Sequence, residues 1–354
     1  MPISRSGKRS PERKSKGERI AVTLGDPAGI GPEVVLKSLA VWLKKPAAKI
    51  LLLGSARFYA DLANRLKLKM VFTDIQNLSQ WDTLPACVVP CYFFEKMPEK
   101  IARGRFNAAL ATLAVRSIKL GAALATEGEV DAVVTPPINK ASTKKAGFNI
   151  PGHTEFLASL SRTKRYEMML VGGSLRVVLV TRHLALKEVS KQVTRERVKS
   201  AITLTVLELQ KSFGIRRPKI VVCGLNPHAG EEGRFGREEI DVIAPAVREA
   251  QKMVKAELVG PLSPDALFYD AYEGCYDAEI CMYHDQGLIP LKMISRGSGV
   301  NVTLGLPFVR TSPDHGTAYD IADKFIADPG SMTQALKLAV VLSKNRKRYA
   351  PRRG

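Results

Sequence analysis

Residues 278–322, AEICMYHDQGLIPLKMISRGSGVNVTLGLPFVRTSPDHGTAYDIA, hold His284 and Asp285, a lysine set among apolar residues (Lys292), Asn301, Arg310 and the run Asp314, His315, Gly316, Thr317 in one segment of low charge. AEICMY is an apolar run of strand length, and His284 follows where such a strand must stop. Two more histidines share that context: LRVVLVT (175–181) runs into His183, and KIVVCGLN (219–226) runs into His228, so three of the five histidines close predicted strands. In open parallel α/β sheets the carboxyl ends of the strands line one edge, and ligands bind in the crevice there. The pattern therefore predicts three imidazoles at one edge.

Working outward, the strand-like runs RIAVTL, KILLLG and VDAVVT alternate with helical stretches at 55–66, 107–126, TRERVKSAITLTVLELQKSF and REEIDVIAPAVREAQKMV. That alternation predicts a doubly wound α/β fold with a mostly parallel sheet. TAYDIADKFIA is expected to be a helix after the Asp314 turn, and Ser331 with Gln334 forms a capping box for a last helix, MTQALKLAVVLS. A chain of 354 residues exceeds the size at which a single core stops growing, which predicts two domains. Near the start, GDPAGIGPE (25–33) sits between a strand and a helix, but Val34 stands where the dinucleotide fingerprint needs its third glycine.

The net charge of +20 is concentrated at the ends: residues 1–19 hold seven Lys/Arg against two Glu, and 343–354 hold six with no acid. Tails of this composition are expected to be solvated and disordered, which makes nucleic-acid binding an unfavoured reading, and the charge left on the body suits an anionic small substrate. No apolar h-region follows the basic start and no run of about 18 apolar residues is evident for a membrane span, so the expected location is the cytoplasm. Five cysteines, three of them in or beside apolar strand-like runs, are expected to be reduced thiols.

Three neutral imidazoles suit zinc or another divalent ion and leave coordination positions open for Lewis-acid work. Asp285 and Asp265 are then candidates for orienting a ligand or moving a proton. Lys292 and Arg310 interrupt apolar sequence with no neighbouring acid, so an incoming dianion would supply their partner.

Taken together, GDPAGIGPE, PPINK, GHTEF, TRHL, GLNPHAGE, GPLSPDALF, YHDQGLIPLK and GVNVTLGLPFVRTSPDHGTA resemble the 4-hydroxythreonine-4-phosphate dehydrogenase family of pyridoxal phosphate biosynthesis, over roughly residues 19–345. The resemblance implies oxidation of 4-phosphooxy-threonine by NAD or NADP, followed by loss of carbon dioxide to give 3-amino-2-oxopropyl phosphate. It implies a divalent metal (zinc, with magnesium, manganese or cobalt as substitutes) on His183, His228 and His284. Substrate contacts would come from His153, Thr154, Lys292, Asn301 and Arg310. The proton acceptor is expected to be Asp265, with bound hydroxide or Lys292 as competitors.

A homodimer is implied too, with the active site at its interface. The implied fold is a two-domain α/β/α arrangement like isocitrate and isopropylmalate dehydrogenases, which bind NAD without the glycine fingerprint. Asp314, His315, Gly316 and Thr317 resemble the loop by which isopropylmalate dehydrogenases hold adenosine. The corresponding division is a cofactor-side domain of 19–140 with 300–345, a metal-binding and dimerisation domain of 141–299, and basic tails at 1–18 and 346–354. The runner-up activity is a related dehydrogenase acting on another phosphorylated hydroxy acid or a cyclic diol.

Overall fold

The computed structural model describes residues 17–92 and 95–349. Most of the two basic tails lies outside that range. Residues 346–349 belong to the last turn of a helix, Gly330–Tyr349, rather than to a tail.

Twelve strands among the described residues form one continuous sheet: β1 (Arg19–Thr23), β2 (Lys49–Leu53), β3 (Val71–Asp74), β4 (Val88–Cys91), β5 (Ala132–Val134), β6 (Glu167–Gly172), β7 (Leu175–Leu179), β8 (Lys219–Cys223), β9 (Glu257–Leu262), β10 (Ala278–Cys281), β11 (Val300–Leu304) and β12 (Val309–Pro313). The spatial order is β3-β4-β2-β1-β5-β12-β11-β6-β7-β10-β8-β9. The central strands are near-continuous Ile/Val/Leu/Ala runs, as expected for strands covered by helices on both faces.

The expectation of a single carboxyl edge needs correction. β11 pairs antiparallel with both β12 and β6, and β6 pairs antiparallel with β7. Three reversals leave two parallel blocks pointing in opposite directions. β1, β2, β3, β4, β5 and β12 run one way, whereas β7, β8, β9 and β10 run the other. The three histidines follow β7, β8 and β10 and share one edge; the glycine loop and the Asp314 loop follow β1 and β12 and share the opposite one.

The two faces also differ. One carries a core that runs unbroken across both blocks through Ile20, Val134, Val302, Val309, Val178 and Ile280. On the other face the apolar surface splits into two clusters, one with Ala21, Val133 and Phe308, the other with Leu170, Val177 and Cys281. Strand periodicity puts Thr135, Arg310, Ser312, Asn301 and Thr303 on this second face, between the two clusters. The polar stripe interrupts the apolar cover of this face.

Two expectations about helices fail. TAYDIADKFIA forms successive turns, because Glu33 accepts from the Ala327 amide, Arg103 donates to the Ala322 carbonyl and Phe325 takes a positive φ. Ser331 donates to the Gly299 carbonyl and accepts from the Asp314 amide instead of forming a capping box; Asp328 takes the Gly330 amide. The Ala108–Thr126 helix is long and apolar enough to cross a membrane by length and mean hydropathy (1.5), but Arg116 and Lys119 interrupt it and most of it is buried, as its Ala/Leu-rich sequence suggests. All five cysteines are free, and Cys91, Cys223 and Cys281 are buried.

Glu279 sits within β10, where its Oε2 accepts from the Arg176 amide at 2.9 Å and its Oε1 has no partner. Burial pushes this carboxyl up to about 8. Between about 4.5 and that value the folded protein keeps a proton that the unfolded chain has lost, so stability falls as pH rises through this window, by an amount on the order of a few kcal/mol. Glu279→Gln should therefore melt near the wild type at pH 5 and clearly above it at pH 8. Parallel melting curves at the two pH values would show that Glu279 does not carry this dependence.

Candidate active site

The polar stripe ends in a buried cation. Arg310, 2% exposed on β12, donates from Nε and Nη2 to Thr135 Oγ1 at 3.1 and 2.7 Å, and from Nη1 to Thr303 Oγ1 at 3.0 Å. No carboxylate among the described residues lies within ion-pair distance of it, and burial pushes its pKa down from the ordinary guanidinium value, with Glu155 opposing this from a distance. Thr154 joins through Thr303, their Oγ1 atoms 3.2 Å apart. His153 beside it is half-buried, with its Nε2 buried and unpartnered; burial first, then the charges of Arg310 and Lys140, hold it well below the ordinary imidazole value and hence neutral. Asn301 lies on the same face with its buried Oδ1 unpartnered. A desolvated guanidinium set between hydroxyls, with open donors and acceptors around it, matches the needs of an anionic oxygen cluster.

Next along the site are His183 and His284, whose rings stand 5.7 Å apart, centroid to centroid, at 42°. His284 opens the helix His284–Ser295, and Gly287 lets that helix lie on the strands: a Cβ there would overlap the Val177 side chain and come within 2.8 Å of Cys281 Sγ. Gln286 ties the exits of β10 and β8, accepting from the Met282 amide at 2.6 Å and donating to the Gly224 carbonyl at 2.7 Å. Asp285 holds His284 Nδ1 at 2.7 Å and leaves Nε2 free, which is how carboxylates orient metal-ligating imidazoles. Burial, then Lys140 and His284, lower the pKa of His183, keeping it neutral.

His228 does not join this pair. It starts a run of positive φ values from 228 to 232, held by Glu239, which accepts from the Leu225 and Asn226 amides at 2.7 Å each, and its ring lies 6.4 Å from Phe235. No group of three or more His, Cys, Asp or Glu side chains suited to a metal ion gathers among the described residues. Two imidazole nitrogen donors, one oriented by a carboxylate, fit part of a divalent site and leave a three-histidine set one ligand short within a single chain.

Other expected residues fall elsewhere. LIPLKMI lies within the helix His284–Ser295 and is not buried throughout, so Lys292 stands 56% exposed with Asp314 at 3.9 Å, two helical turns, about 12 Å, from His284. Asp265 is exposed, and the hydrogen bond from Ser263 holds its carboxyl below the usual range, which makes it a weak proton acceptor. At the opposite edge, Asp314, His315, Gly316 and Thr317 sit against the glycine loop. The Ile30 amide donates to the Thr317 carbonyl at 2.9 Å, and Tyr319 donates to Asp26 at 2.5 Å. A Cβ on Gly316 would meet nothing within 4 Å. Gly316→Val should therefore fold normally yet weaken dinucleotide binding severalfold more than substrate binding; equal effects in calorimetric titrations would remove this loop from the cofactor site.

Sequence reasoning passed over four contributors. Lys140, from PPINK, has its Nζ 3.9 Å from the place a Cβ on Gly152, the residue before His153, would fill. Arg182 joins Glu155 at 3.2 Å to Glu167 at 2.8 Å, fixing the backbone beside His183. Thr135 and Thr303 orient Arg310. For Thr303 a signal existed: in GVNVTL it falls on the same face as Asn301 by strand alternation.

One sheet with two opposed parallel blocks, a buried guanidinium between them and an imidazole pair at one edge define a mixed-sheet α/β protein of the dehydrogenase-like class. The model of the family of pyridoxal phosphate biosynthetic protein PdxA matches residues 46–339, and the chain belongs to that family. It is 42% identical over 335 residues to a 4-hydroxythreonine-4-phosphate dehydrogenase of Caulobacter vibrioides, covering 92% of this chain and 98% of that one. It is also 42% identical over 328 residues to a D-threonate 4-phosphate dehydrogenase of Pectobacterium atrosepticum, covering 92% and 99%. A crystal structure of the Klebsiella pneumoniae 4-hydroxythreonine-4-phosphate dehydrogenase superposes with a TM-score of 0.83 at 38% identity, covering 92% and 99%.

Proposed function

We propose that this protein oxidises the secondary hydroxyl of 4-phosphooxy-L-threonine with NAD or NADP to 2-amino-3-oxo-4-phosphooxybutanoate, which loses carbon dioxide to give 3-amino-2-oxopropyl phosphate. The observation that carries the reading is Arg310: a buried guanidinium that no described carboxylate neutralises, in a sheet that carries the His183–His284 pair at one edge. Arg310 grips the phosphate, held in plane by Thr135 and Thr303. Thr154 and Asn301 take the neighbouring polar groups. His153, neutral with an unpartnered Nε2, would give the substrate a hydrogen bond beside Arg310.

His183 and His284 would hold a divalent ion, zinc by preference for nitrogen ligands, with magnesium, manganese or cobalt as replacements. Such an ion, when bound, polarises the hydroxyl and the ketone that replaces it. The missing third donor is assigned to His228 of a second copy of the chain, so the active protein is a homodimer with the site at its interface.

Purified protein should reduce NAD or NADP on addition of 4-phosphooxy-L-threonine. Absence of reduction with either nucleotide, in the presence of each of the four ions, would end the proposal. A second reading, oxidation of D-threonate 4-phosphate, is favoured by the Pectobacterium relative. The specificity constants for the two substrates, measured side by side, decide between them. The same comparison extends to other phosphorylated hydroxy acids and cyclic diols.

A further inference from the structure

We propose that Lys140, at the gap above Gly152, is the anchor for the carboxylate of the substrate. The inference rests on the reading of the substrate as 4-phosphooxy-threonine, which has two anionic ends. Arg310 answers the phosphate, and the carboxylate, two carbons beyond the hydroxyl on the other side, needs its own cation. Lys140 is exposed, and its ammonium makes no hydrogen bond or ion pair with any described residue.

The turn that carries it is held at its start. Asn139 caps the turn that starts at Lys140, accepting from the Ser142 amide at 2.9 Å. Lys140 Nζ lies 3.9 Å, and Glu155 Oε2 2.7 Å, from the place a Cβ on Gly152 would fill, so the absence of a side chain there keeps a gap open beside the ammonium. Glu155 does not satisfy Lys140: the two are beyond ion-pair distance, and Glu155 Oε1 is already held by Arg182 at 3.2 Å. Gly152 is the N-cap of the His153–Leu160 helix, so the gap and the ammonium beside it lie next to His153 and Thr154, at the border of the Arg310 pocket. A substrate with its phosphate on Arg310 and its hydroxyl at the imidazoles would bring its carboxylate to this cation.

The test compares 4-phosphooxy-L-threonine with 3-amino-2-hydroxypropyl phosphate, which lacks only the carboxylate. Lys140→Met should weaken calorimetric binding, and lower kcat/KM, for the carboxylated ligand by about ten- to a hundredfold. The loss on the carboxylate-free ligand should be less than about threefold, because no charge-assisted bond is removed there. Lys140→Arg should recover part of the loss, while Gly152→Val, which closes the gap, should reproduce it. Equal losses on both ligands, no loss on either, or a wild type without preference for the carboxylated ligand would overturn the proposal. Binding is measured without nucleotide. A wild type that binds both ligands but oxidises neither would therefore defeat the dehydrogenase reading, while the binding losses would still decide whether Lys140 holds the carboxylate.

Discussion

His183→Ala and His284→Ala are each expected to lower turnover on the order of a thousandfold or more, since Lewis-acid stabilisation is worth several kcal/mol and each 1.4 kcal/mol is about tenfold in rate. Both rings lie at partly exposed strand exits outside the apolar clusters, so the melting temperature should stay near that of the wild type. Metal content should fall with activity in each variant, and exhaustive chelation of the wild type should abolish turnover, restored on adding a divalent ion. His228→Ala should match the other two in kinetics although it stands apart in the single chain. Mixing His183→Ala with His228→Ala subunits tests the shared site, because a mixed dimer rebuilds one complete set of three histidines. Failure of the mixture to recover activity would argue against a ligand set divided between subunits, and full activity after chelation would remove the metal from the reaction.

Arg310→Met carries the second large effect. Charge-assisted hydrogen bonds of about 1.5–3 kcal/mol each predict a loss of roughly ten- to a hundredfold or more in kcat/KM for the phosphorylated substrate. An analogue without the phosphate should be poor with the wild type and little worse with the variant. The stability outcome separates binding from scaffolding. Arg310 is a buried charge with only hydroxyl partners, so an apolar replacement of similar length should leave the melting temperature unchanged or raise it. Arg310→Lys should recover little, because a point charge cannot reproduce the planar fork held by Thr135 and Thr303. Equal losses on both substrates together with a lowered melting temperature would make Arg310 a structural residue and move the phosphate elsewhere.

Part of this site is legible in the sequence. Apolar runs of strand length are enough to place His183, His228 and His284 each at a strand exit, and the structure brings those three exits to one edge. The isolation of Arg310 among apolar residues signals a buried charge, and burial is what the structure shows. The same signal misleads at Lys292: an apolar run of that length is compatible with a strand or with one face of a helix, and Pro290 does not prevent the helix. The turns at 318–325 escape periodicity for a related reason. Their conformation is set by Arg103 and Glu33, more than two hundred residues away in the chain.

Local pattern by itself determined the α/β class, the strand exits that carry the histidines, and the residue types available for an anion and a metal. Alternation, apolar run length and unpaired charge are properties of neighbours in sequence, and they survive whatever the rest of the chain does. Only the tertiary structure decided that the sheet reverses direction three times, that its second face is split by a polar stripe, and that two imidazoles meet while the third stands apart. It also decided that Thr135, Thr303, Glu155, Arg182 and Lys140 belong to the site. Pairing partners, strand direction and the approach of charges across loops depend on contacts between distant segments, and no short stretch of sequence contains both sides of such a contact.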